Sequence, residues 1–257
     1  MRVSELMIVP FVLSTAACLQ GQRAFKVNAD GTGTLVDTVK MGEQAKSMRQ
    51  AFEEMDKSTP AEKKAKKQAA YAAKASAMGE GVTLVSVEAT PDGGERVTYA
   101  FKDINKLSAE SVPTPDESSS SKGDALTFRL GKSPAGNALL TIVRARPKPS
   151  EDKEARPAPK KEEVAQQIAM MKGMLAGLKV TSVVEVNGKL VKTSSPNASG
   201  STVTLLAMDF DQLDAAALQK LAETAPPDGP PPMEKLKGIA GLTVSDPEVT
   251  IEFTGKR

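Results

Sequence analysis

Ala24-Phe25-Lys26-Val27-Asn28-Ala29-Asp30-Gly31-Thr32-Gly33-Thr34-Leu35-Val36-Asp37-Thr38-Val39 reads as strand, tight turn and returning strand. Asp30-Gly31 decides it, because Asp-Gly accepts the positive φ that a tight hairpin needs. Outward from this hairpin, Ala45, Met48, Phe52 and Met55 recur three and four apart and predict a helix with one apolar face. Pro60, preceded by Ser58 and Thr59 as caps, starts a second helix rich in Ala and Lys that runs to about Met78. Gly79 or Gly81 ends it, since glycine takes a left-handed cap at little cost. A strand follows over residues 82–89, then the turn Pro91-Asp92-Gly93-Gly94. Val97, Tyr99 and Phe101 alternate with Arg96, Thr98 and Ala100, the pattern of a half-buried strand.

The rest of the chain repeats the plan. Leu126, Phe128 and Leu130 alternate in one strand, residues 133–137 turn the chain, and residues 139–143 form the next strand. Val164, Ile168, Met171, Leu175 and Leu178 make a helical stripe. Strands follow over 180–186 and 189–193 around an Asn187-Gly188 hairpin turn, and another over 202–208. Short echoes link the halves. Gly81-Val82-Thr83-Leu84 matches Gly177-Leu178-Lys179-Val180, and Asp103-Ile104-Asn105-Lys106-Leu107 matches Asp209-Phe210-Asp211-Gln212-Leu213. Gly241-Leu242-Thr243-Val244 is a third echo after a short helix at 233–239, and Val249, Ile251 and Phe253 close the chain as a strand. The expected fold class is α+β, with antiparallel sheets and helices on one face. It comprises two ββαββ-like units, 18–112 and 126–223, plus a C-terminal helix and strand at 233–257. A Ser/Pro-rich linker at 113–125 and a Pro-rich one at 224–232 join them, and the charged insertion 146–161 lies inside the second unit as an exposed loop.

Composition narrows the function. Of 257 residues, 40% are hydrophobic and 26% charged, which is the balance of a globular chain. The formal net charge is +2 and aromatics are 4% with no Trp, so neither a general drive toward nucleic acid nor stacking platforms for bases are supplied. One Cys allows no intrachain disulfide. There is no His, which removes Ser-His-Asp and Cys-His mechanisms and His-containing zinc or iron sites.

That one cysteine is Cys18. It follows a short basic start at Arg2, the apolar run Leu6-Met7-Ile8-Val9-Pro10-Phe11-Val12-Leu13, and the small residues Ser14-Thr15-Ala16-Ala17. This is the layout of a signal peptide over 1–17 with a small-residue cleavage site. A cysteine placed there resembles the lipobox cysteine of bacterial lipoproteins, which becomes the lipid-modified first residue. Thr15 stands where lipoboxes usually carry Leu. An uncleaved N-terminal helix, or an ordinary signal with Cys18 incidental, are the alternatives. Acyl chains such as palmitate contribute about 0.8 kcal/mol per buried methylene. They would hold the chain on a membrane without a spanning helix.

Three clusters offer chemistry. Asp209 and Asp211, spaced i, i+2 at a strand end, suit Ca²⁺ or acid–base work, but the plainer reading makes Asp211 the cap of the next helix, assisted by Asp214, with Asn105 in the same role in the first half. Lys63, Lys64, Lys66 and Lys67 form the densest basic cluster, either a solvated helix face or a contact for anionic lipid headgroups worth about 1 kcal/mol per residue near such a surface. Met170, Met171 and Met174 give the second amphipathic helix an adaptable surface, with core packing the commoner use. The glycines near Asp30 lack the following helix that phosphate cradling needs, so no cofactor is expected there.

Cys18 closely followed by the Asp30-Gly31-Thr32-Gly33 hairpin is one distinctive feature. A charged helix ending in Gly81-Val82 is the next. The tail Val184-Glu185-Val186-Asn187-Gly188-Lys189-Leu190-Val191 leading into Gly200-Ser201-Thr202-Val203-Thr204 is the last. Together they resemble the large, mostly uncharacterised group of bacterial secreted lipoproteins that share an LppM-like domain. The resemblance implies a place in the cell envelope, membrane-anchored and facing the periplasm or exterior, and in some relatives lipid binding. It carries over no catalytic residue. The expected function is a non-enzymatic, membrane-anchored envelope protein that binds a lipid or protein partner. The alternatives are a carboxylate-based hydrolase of envelope glycans and a purely structural surface protein. The hydrolase predicts two carboxylates about 5–10 Å apart in a cleft.

Overall fold

The computed structural model describes residues 19–42, 46–47, 50, 57–113, 125–145, 176–224 and 236–255. The signal peptide and Cys18, the helical stripes around Met48 and Met171, and most of the three linker segments fall outside them. The described chain is mostly antiparallel sheet with two helices. In order it forms β1 (Leu19–Val27), β2 (Gly33–Met41), α1 (Pro60–Met78), β3 (Thr83–Ala89), β4 (Glu95–Phe101) and β5 (Ser108–Glu110). Then come β6 (Ala125–Lys132), β7 (Ala138–Ala145), β8 (Lys179–Val186), β9 (Gly188–Thr193), β10 (Ala198–Ser199) and β11 (Thr202–Asp209). Helix α2 (Ala215–Thr224), β12 (Leu242–Val244) and β13 (Glu248–Gly255) complete it.

These strands make two sheets. The larger has the order β10-β11-β8-β1-β2-β4-β3, with β12 also on β11, and the smaller the order β5-β6-β7-β13-β9. The opening hairpin forms as read, with Val27 opposite Gly33 and Phe25 opposite Leu35. Strands β1, β2, β3 and β4 of the first half lie in the larger sheet, whereas the strands of the second half are divided between the two sheets. Its β8 pairs in parallel with β1 and its β11 antiparallel with β8, while β6, β7 and β9 belong to the smaller sheet. Asn187-Gly188 is therefore no hairpin, which corrects the sequence reading. Asn187 donates its N–H to the Val27 carbonyl at 2.8 Å and its side-chain amide to Asn28 at 2.8 Å, so the chain leaves β8 along the end of β1 and enters the other sheet.

One apolar core lies between the sheets. Phe25, Leu35, Tyr99, Val184 and Leu205 enter it from the larger sheet, and Phe128, Leu140, Ile251 and Phe253 from the smaller. The rings of Phe25 and Phe128 meet across the interface at 5.0 Å and 51°. A register shift between Thr204 and Leu206 lets the consecutive Leu205 and Leu206 both be buried. Leu206 joins a second cluster with Leu213, Leu218, Leu242 and Val244, where α2 and β12 pack.

Two buried arginines tie the sheets together in opposite directions. Arg23 of β1 bonds the Asp37 carboxylate of β2 through both oxygens, at 2.7 and 2.6 Å, and also donates to the Glu110 carbonyl of β5 in the other sheet. Arg144 of β7 donates to the Leu205 carbonyl in the larger sheet at 3.2 Å. Burial works against the Arg23 charge, but Asp37 and Glu110 more than offset this and raise its pKa.

Candidate functional site

Helix α1 starts with a full capping box. The Glu62 carboxylate accepts from the Thr59 N–H at 2.7 Å, and the Thr59 hydroxyl accepts from the Glu62 N–H at 3.3 Å, with Pro60 opening the helix. Thr59, rather than Ser58, is thus the cap. The helix buries side chains only near its C-terminal end, at Ala75 and Met78. Its first two turns carry Lys63, Lys64, Lys66 and Lys67 beside the positive end of the helix dipole, so both contributions favour an anion there.

Three of those four lysines converge. Lys63, Lys64 and Lys67 line a recess of about 260 Å³ between α1 and the β3–β4 hairpin, facing Val87, Ala89, Gly94 and Glu95. Lys66 turns away and donates to the Ser58 hydroxyl at 2.9 Å. Lys67 pairs with Glu95 at 2.5 Å. Glu95 is 9% exposed, and its second carboxylate oxygen has no hydrogen-bond partner among the described residues. The floor beside it is held by the β3–β4 turn. There Asp92 accepts from the Thr90 hydroxyl and from Lys40 at 2.9 Å, and its carboxyl is held down at about 2.

Sequence reasoning missed Glu95, though the signal was present: it stands two residues before Val97, in phase with Val97, Tyr99 and Phe101, on the buried face of β4. It missed Arg23 and Asp37 for the same reason, since Arg23 is in phase with Phe25 and Asp37 with Leu35 across the hairpin. Burial pushes the Tyr99 hydroxyl pKa upward, with the Asp37 charge adding to it, and that hydroxyl too has no partner among the described residues.

Asp37 sits opposite Val97, and Glu95 opposite Val39, so the two buried carboxylates are diagonal neighbours on one face. Each is matched by a cation, Asp37 by Arg23 and Glu95 by Lys67, and Asp37 is 4% exposed with no cleft reaching it among the described pockets.

The Asp209–Asp211 reading needs correction. Asp209 caps a 3-10 turn at 210–212 by accepting from the Asp211 N–H at 3.2 Å, and it binds Lys179 at 2.9 Å. The Lys179 ammonium lowers the Asp209 pKa. Asp211 instead accepts from the Gly177 N–H at 2.7 Å, and Asp214 is the side chain at the start of α2, accepting from Ala217 at 2.7 Å. In the first half, Asp103 is the cap, and Asn105 accepts from the Leu130 N–H at 2.7 Å in the other sheet. Among the described residues, no group of three acidic, His or Cys side chains could hold a metal ion, and no helix is long and apolar enough to cross a membrane.

Comparison with known protein families, with curated proteins and with solved structures finds no match to this chain.

Proposed function

We propose that the chain is a membrane-anchored lipoprotein of the bacterial cell envelope, of the LppM-like type. On this reading an acyl chain on Cys18 holds it to the membrane. It acts without chemistry of its own by binding an anionic partner, either a lipid headgroup or an acidic protein segment. The two ββαββ-like halves remain its organising plan, with the second shared between two sheets.

The observation that supports a binding role is the convergence of Lys63, Lys64 and Lys67 on one recess beside α1. Isolated surface lysines would spread over the helix, whereas these share a concave wall on which Lys67 pairs with Glu95. The support for the anchor is the sequence from Arg2 to Cys18. Two measurements test the reading. Expression with its signal in a bacterial host should place the chain in the membrane fraction with an acyl mass on Cys18, and Cys18→Ser should release it. Native mass spectrometry of the released chain should show a co-purified anionic ligand that is lost in Lys63→Glu/Lys64→Glu. An unmodified Cys18 sinks the anchor, and a ligand-free mass in all preparations argues for a purely structural surface role.

A further inference from the structure

We propose that the chain stands end-on upon its bilayer, with the end of the sandwich at which β1 begins seated in the lipid headgroup layer. This rests on the reading of Cys18 as the acylated anchor, and it names the surface that the anchor brings to the membrane.

β1 begins at Leu19, the residue next to Cys18. Consecutive Cα atoms lie about 3.8 Å apart, so no spacer separates the anchor from the sheet. β1 is also the fourth strand in the row β10-β11-β8-β1-β2-β4-β3. The anchor therefore leaves from the middle of a sheet end, with three strands on either side, and not from an edge. Leu19 stands opposite Met41, Gln20 opposite Lys179, and Lys179 opposite Asp209, so these residues share that end. The chain after β5 reaches it too, since a Cβ on Gly21 would lie 3.2 Å from the Pro113 ring.

The two ends of the sandwich differ. At the far end short turns join the strands, closed by the Asn28 N–H on the Thr32 carbonyl and the Ser133 N–H on the Asn137 carbonyl, both at 2.9 Å. At the anchored end the chain leaves the described residues at 113 and 145 and returns at 125 and 176. Half-buried apolar side chains gather there, namely Met41, Val112, Leu178 and Phe210. Phe210 is tied to that end by its N–H on the Leu178 carbonyl at 3.0 Å.

The faces of the larger sheet suit lipid less well. The inner face packs on the smaller sheet. The outer face sets Gln22, Thr38 and Arg96 side by side, with Thr98 next along β4. Apolar side chains hold a protein surface in the boundary between headgroups and acyl chains. The end supplies them beside the anchor, so the end and not a face meets the membrane. The nine residues of β1 then rise away from it and carry the far turns about 30 Å out.

The test uses the acylated chain in vesicles of phosphatidylethanolamine and phosphatidylglycerol, with one added cysteine carrying a nitrobenzoxadiazole fluorophore. Cys18, its thiol bound to lipid, does not take the label. Three exposed positions receive it in turn: Pro91→Cys and Gln212→Cys, on opposite sides of the anchor at the proposed membrane end, and Ala135→Cys at the far end. Nitroxide-bearing phospholipid in the vesicles should remove about half or more of the fluorescence at 91 and 212, and leave 135 unchanged. Quenching at 91 or 212 alone means that the molecule lies on one side, and overturns the proposal. Equal quenching at all three positions, or none at any on a chain that floats with the vesicles, overturns it as well. A chain that does not float with the vesicles overturns the anchor, and the docking with it.

Discussion

Arg23 and Asp37 stand 14 positions apart in sequence and meet at 2.6 Å in the core, 1% and 5% exposed in their side chains. Two charges taken out of water are costly, and only their two-point contact and the Glu110 carbonyl offset that cost. Asp37→Ala leaves the Arg23 charge buried without its carboxylate, so urea denaturation should show a loss of about 3–5 kcal/mol. Arg23→Met/Asp37→Leu should recover most of it; a double variant no more stable than the single one would mean the pair is not the source. This site was legible in part. The hairpin register opposes 23 and 37, and both are in phase with buried apolar neighbours, yet opposite charges on strands usually signal a solvated face. Asp92 gives the pH counterpart. Its folded pKa of about 2 lies below the ordinary 3.8 because Thr90 and Lys40 bond the carboxylate. Its contribution to stability is thus complete above 3.8 and is lost as pH falls toward 2. The difference in melting temperature between the chain and Asp92→Asn should be constant at neutral pH and close over that acid window. A difference that persists to pH 2 would assign it to something other than ionisation.

At the scale of elements, α1 was read almost to the residue because its signals are local: Thr59 and Pro60 at one end and Gly79 or Gly81 at the other, of which Gly79 is the cap. Gly79 has a second reason to be glycine that no sequence shows. A Cβ there would lie 2.0 Å from the Lys106 carbonyl oxygen, in a backbone with φ of +145°. Gly79→Ala should therefore cost well beyond the roughly 1 kcal/mol of an ordinary cap change, and it should loosen α1 from β3, seen as faster amide exchange along the helix. Protection equal to that of the unaltered chain would show that the turn relaxes freely. The short echoes also have a physical content. Asp103 and Asp209 cap matching 3-10 turns through the N–H two residues on, at 3.0 and 3.2 Å. Gly81, Gly177 and Gly241 share φ near +80°, at 80°, 76° and 80°, each just before a strand. Asn187-Gly188 misled because the turn signal is local while its partners, Val27 and Asn28, lie on a strand far away in sequence.

At the scale of the whole molecule, sheet membership was the part that sequence pattern could not give. Alternation shows which face of a strand is buried, but Val184 and Val249 carry the same signal although they enter the core from opposite sheets. The pairing of β1 with β8 decides the architecture, because it places the first and second halves side by side in one sheet. β5, from the first half, then closes on β6, and β13 inserts between β7 and β9. Neither half keeps a complete sheet of its own, so each alone would expose strand edges and the inner face of the shared core. The intact chain should therefore unfold in one cooperative step, with far-UV circular dichroism and the near-UV signal of Tyr71 and Tyr99 coinciding. The fragments 19–113 and 125–255, expressed apart, should show no dispersed amide spectrum, and mixing them should restore it by pairing β1 with β8. A single half that gives a sharp, dispersed spectrum by itself would mean that the two units are independent domains and that Arg23 and Arg144 merely link finished folds.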